Sequence, residues 1–133
     1  MTRLFNGLAV LVVSASAAMA QDVDVGAGLY DQHCAVCHGA DAMGNGPLAP
    51  ALQLQPSNLV ELTARHDGAF PLLRVINRID GTDPLVSHGS PMPIYGPFFE
   101  GVQGVALKAD SGQPVMVSQP VADLVEYLRS IQP

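Results

Sequence analysis

The sequence predicts an all-α domain that carries one short β-hairpin before its last helix, and three features predict it. Apolar residues recur at helical spacing near both ends, Gly/Pro-rich loops fill the middle, and a single stretch alternates with the period of a strand. At 133 residues the chain has the size of one domain.

From Asp24 to about His33 the apolar positions are Val25, Leu29 and Tyr30, with Asp22 or Asp24 placed to cap the first turn. Residues 41–56 hold three prolines and two glycines and read as an irregular loop. Ser57 to Leu62 starts a short helix. A longer one is expected from Asp67 to Ile79, with Pro71 near its first turn, Leu72, Val75, Ile76 and Ile79 on one face, and Gly81 as its stop. Residues 80–97 form a second loop. Val105 and Leu107, then Val115 and Val117, alternate around Asp110-Ser111-Gly112, a hairpin within an insertion from about Gly96 to Ser118. Pro120 opens the last helix, whose apolar stripe is Val121, Leu124, Val125, Leu128 and Ile131. Asp123 and Glu126 suit its first half and Arg129 its last turn.

Composition narrows the function. Twelve acids face six bases, for a formal net charge of −6, and nucleic-acid binding needs the opposite field. Met1-Thr2-Arg3, the apolar Leu8 to Val13 and the small-x-small Ala18-Met19-Ala20 match a secretory signal peptide. Residues 1–20 are therefore expected to be removed, leaving 21–133 as one domain with no membrane span. Without Arg3, five bases face twelve acids, a charge of −7. With 5% aromatic residues and no tryptophan, such a chain has little of its own to build a core around.

Both cysteines fall in Cys34-Ala35-Val36-Cys37-His38, the C-x-x-C-H pattern of covalent haem c attachment. Two thiols three residues apart on one turn can each add to a vinyl group on the same porphyrin edge, while the next residue offers its imidazole to the iron. The alternatives are a redox dithiol or a plain disulfide, with His38 incidental. A dithiol site needs a preceding strand, and no alternating strand precedes Cys34. A zinc site needs a second ligand pair, and no second cysteine pair exists. No nucleophile elbow or paired acids point to an enzyme.

The chain resembles the class I c-type cytochromes, over most of residues 24–131. Gly26 and Tyr30, the haem motif with Gly39, Gly44-Asn45-Gly46-Pro47-Leu48, Met92-Pro93 and the segment Asp123 to Arg129 carry the resemblance in the family's order. It implies a cytochrome c fold with crossing N- and C-terminal helices around one haem, Gly26 and Tyr30 meeting Leu124 and Tyr127. It also implies that the Pro47 carbonyl accepts the hydrogen bond from the second ring nitrogen of His38. Arg74 and Arg78 are expected partners of the haem propionates, although a solvated charged face explains them equally well. Tyr95, in the methionine loop, is expected to contact the cofactor.

Four side chains compete for the sixth iron position. Met92 stands between Pro91 and Pro93, which stiffen the approach of a flexible thioether, and His/Met ligation is the cytochrome c arrangement. Met43 is too close to His38 in sequence to be carried around the ring. Met116 lies in the hairpin, and His88 would give a bis-histidine site; His33 and His66 are weaker still. With both positions filled, the expected function is single-electron transfer in the periplasm, free or as the haem subunit of an exported oxidoreductase. A redox partner protein with a basic docking surface would complement the acidic chain. The rival reading is a haem enzyme or gas-binding protein with an open or displaceable distal site.

Overall fold

The computed structural model describes residues 21–83, 92–99 and 103–133. They form helices α1 (Val23–His33), α2 (Ala35–His38), α3 (Leu72–Asp80) and α4 (Gln119–Ser130), and an antiparallel pair, β1 (Gln103–Lys108) and β2 (Pro114–Ser118). Among the described residues no helix is long and apolar enough to cross a membrane. The segment 1–20, read as a signal peptide, lies outside them.

Helix α1 starts where Asp22 caps it, its side chain accepting from the amides of Asp24 and Val25. The Asp22 amide itself donates to the buried Asp123 carboxylate of α4 at 2.8 Å, and Gln119 donates to the same oxygen at 2.7 Å. The first and last helices therefore share a polar contact as well as an apolar one. Tyr30 lies beside Tyr127, ring centroids 5.1 Å apart. Gly26 faces the Asp123 backbone and the Tyr127 side chain, one residue earlier on α4 than the expected Leu124.

Between these helices the chain departs from its apolar periodicity. Asn58 accepts a hydrogen bond from the Val60 amide at 3.0 Å, an Asx turn that competes with helix formation, so 57–62 turns instead. A single 3-10 turn follows at Ala64–His66. Asp67 and Gly68 then both adopt left-handed backbone, φ 54° and 81°, which reverses the chain. Helix α3 consequently begins at Leu72, not Asp67, after a proline that has no N–H to offer. Gly81 ends it in the left-handed conformation at φ 85°.

Leu72, Val75, Ile76 and Ile79 of α3 are buried, as are Val121, Leu124, Val125 and Leu128 of α4. The hairpin pairs Val105 with Val117 and Leu107 with Val115, and buries Val105, Leu107 and Val117 against the same core. Its opposite face carries Met116, 59% exposed. The insertion thus completes a core otherwise short of large side chains. At the chain end, the Gln132 carbonyl accepts from the Thr63 amide at 3.0 Å while its NH₂ donates to the carbonyls of Leu59 and Leu128 at 2.9 and 2.7 Å. That one amide fastens the 59–63 turn to α4.

Candidate functional site

Cys34 is the C-cap of α1, its amide donating to the Tyr30 carbonyl at 2.8 Å. The amides of Cys37 and His38 both return to the Cys34 carbonyl, at 3.1 and 2.9 Å, and close the single turn of α2. A long helix thus delivers the first sulfur and a tight turn delivers the second sulfur and the imidazole. The loop after Gly39 then laces back onto this turn. Gly44 donates to the His38 carbonyl at 2.7 Å, Gly46 to Cys37 at 3.0 Å, and Leu48 to Val36 at 2.9 Å. These bonds satisfy the carbonyls that the end of a short helix leaves open. A side-chain carbon on Gly46 would lie 2.5 Å from the Val36 carbonyl oxygen, so the lacing requires glycine there.

This lacing overturns the role expected of Pro47. Pro47 sits exposed between two amides that already point at α2, and its carbonyl is not the partner of His38. The Nδ1 of His38 instead lies 2.9 Å from the Ser57 carbonyl. A carbonyl only accepts, so in the neutral ring Nδ1 carries the proton and Nε2 keeps its lone pair, the form suited to binding iron. No side chain marks this contact, because Ser57 acts through its backbone.

Cys34, Cys37 and His38 line a cavity of about 450 Å³, within the range of cofactor pockets. Apolar walls come from Leu59 and Leu62 of the turn, Val75 and Ile79 of α3, and Leu124 and Leu128 of α4. Met92 and Pro93 contribute to the same cavity. Neither of the competing methionines does: Met43 is 56% exposed, and Met116 borders a separate, smaller pocket beside Asp80 and Ser118. His88 lies outside the described residues. His66 bonds through Nδ1 to the Leu62 carbonyl at 2.7 Å and does not reach the cavity. His33 does line it, its ring packed edge-on to Tyr95 and Phe99.

Arg74 and Arg78 both border the cavity, and Arg78 is paired with Asp83 at 3.2 Å. Tyr95 borders it too and donates through its hydroxyl to the His33 carbonyl at 2.8 Å. Among the described residues, none of β1 or β2 lines the cavity, and the hairpin supports the site through the core.

The donor set fits haem better than thiol redox chemistry. Burial pushes the Cys34 thiol up to about 11, with the neighbouring Cys37 adding to the rise. A redox dithiol works through a depressed thiol, the reverse of this environment. The Cys-x-x-Cys segment also follows a helix, α1, where a redox dithiol fold would place a strand. Apolar walls for a ring, guanidinium groups for its carboxylates, two thiols for its vinyl groups, and an imidazole and a thioether for its iron all meet in one cavity.

Comparison with known proteins agrees. No curated protein and no solved structure gives a match. The family model for cytochrome c matches residues 23–132, from the first turn of α1 through α4. The chain therefore belongs to the cytochrome c family, electron-transfer haem proteins that bind haem c covalently.

Proposed function

We propose that this protein is an exported, periplasmic monohaem cytochrome c that passes single electrons between redox proteins, free or as the haem subunit of an oxidoreductase. One haem would be attached through Cys34 and Cys37, and His38 and Met92 would bind its iron, between the first and last helices. The observation that carries this reading is that Met92, alone among the described methionines, shares the cavity of Cys34, Cys37 and His38. Bound haem supplies a one-electron couple. The chain sets how that couple behaves.

Each neighbouring residue has a part in it. The Ser57 carbonyl fixes the His38 tautomer and ring orientation. The thioether of Met92 favours reduced iron, and the leucine walls exclude water, both of which raise the potential. Arg74 and Arg78, which border the cavity, would pair with the haem propionates, Arg78 while also bonded to Asp83. With two protein ligands the iron offers no open position to a substrate, so the role is that of a carrier, not an enzyme.

Voltammetry of Met92→Ala against the wild type tests the assignment. The variant should show a lower potential and rapid binding of cyanide or carbon monoxide. An unchanged potential and spectrum would mean another side chain holds the sixth position.

A further inference from the structure

We propose that Tyr95 is the positioning residue that seats Met92, clamping the methionine loop to the helix that carries Cys34. The inference rests on Met92 being the sixth ligand. Tyr95 follows Met92 by three residues and is held by both its backbone and its side chain. Its amide donates to the Ile79 carbonyl in the last turn of α3 at 2.8 Å. Its hydroxyl donates to the carbonyl of His33, the last residue of α1, also at 2.8 Å. Between these anchors its ring stacks on Phe99, centroids 5.6 Å apart and planes 20° from parallel.

Its neighbours pack against the end of α3. Ile94 lies over Gly81, where an added side-chain carbon would meet its Cγ2 at 2.4 Å. Gly96 presses on the Asp80 carbonyl, where an added carbon would stand 2.5 Å from the oxygen. Residues 94 and 96 thus fix the loop to the end of α3, whereas the Tyr95 hydroxyl links it to the segment that enters the haem motif. Methionine has an unbranched side chain with three rotatable bonds and fixes little by itself. Whatever holds its backbone meets the entropy of placing its sulfur in advance.

The test is imidazole titration of the ferric holoprotein, with thermal unfolding measured alongside. Tyr95→Phe keeps the ring stack and removes only the hydroxyl, so imidazole should displace the methionine at roughly tenfold lower concentration, the worth of one hydrogen bond. The reduction potential should fall as well. Asp22→Ala is the control: it removes the cap at the opposite end of α1 from His33 and should lower the melting temperature without changing imidazole affinity. Wild-type imidazole affinity in Tyr95→Phe, or an equal gain in Asp22→Ala, would overturn the clamp while leaving the ligand assignment intact. Met92→Ala tells the two claims apart: if it leaves the methionine charge-transfer band in place, Met92 is not the ligand and the clamp falls with it.

Discussion

A side-chain carbon on Gly26 would stand 2.1 Å from the backbone carbonyl oxygen of Asp123, so α1 and α4 approach to a distance that only glycine permits. The obstacle is backbone and cannot rotate away. The contact has a functional consequence, because α1 ends at Cys34 and α4 supplies Leu124 and Leu128 to the cavity wall.

Two glycines on the same helix should therefore respond oppositely to alanine. Gly26→Ala is expected to destabilise the holoprotein by about 1–3 kcal/mol, since overpacking outweighs the better helix propensity of alanine. Gly28 is exposed and has open space around it, so Gly28→Ala should stabilise by about 0.5–1 kcal/mol. Urea unfolding of both variants checks the pair, and equal shifts would count against the close approach.

Tyr30 donates its hydroxyl to the Gly39 carbonyl at 2.7 Å in a buried setting, tying α1 to the end of the haem-motif turn. Tyr30→Phe removes this bond and leaves the carbonyl with the Ala42 amide alone, so it should cost about 0.5–1.5 kcal/mol. Burial foremost, then the charges of Cys34, Tyr127 and Asp41, holds the Tyr30 hydroxyl above its ordinary value. The stability linked to this group is complete below the unfolded value near pH ~10 and is lost as pH rises toward the folded one. Unfolding followed from neutral to alkaline pH should show a shallower decline in Tyr30→Phe than in the wild type.

Charge should govern encounter with the proposed redox partner. With net charge −6 over the full sequence, association with a basic redox protein should be fastest at low salt. Stopped-flow electron transfer with such a partner should slow by roughly 10-fold or more as ionic strength rises to physiological values. A rate independent of salt would mean docking through an uncharged surface.

Much of this was legible in the sequence, and the exceptions share a cause. Cys34, Cys37 and His38 announce themselves by spacing, and the α4 stripe from Val121 to Leu128 follows from periodicity alone. The hairpin itself follows from alternation around a Gly-containing turn, and the structure gives its register, Val105 with Val117 and Leu107 with Val115. What sequence did not reveal was carried by the backbone. The Ser57 carbonyl took the role expected of Pro47, because the amides of Gly46 and Leu48 already bind the Pro47 loop to α2. Left-handed Asp67 delayed α3 to Leu72 although the apolar residues flanking it kept helical order. The Gln132 clasp was invisible for another reason: a lone amide near a chain end shows its three partners only in the fold.

The most direct measurement is the visible and near-infrared absorption of the purified ferric protein, produced in a strain competent for cytochrome maturation. A haem held by Cys34 and Cys37 and ligated by His38 and Met92 gives a red protein whose colour stays with the denatured chain, a low-spin spectrum and the methionine charge-transfer band. Colourless protein would contradict attachment to the two cysteines. Red protein with a high-spin spectrum that takes up carbon monoxide at once would contradict the carrier.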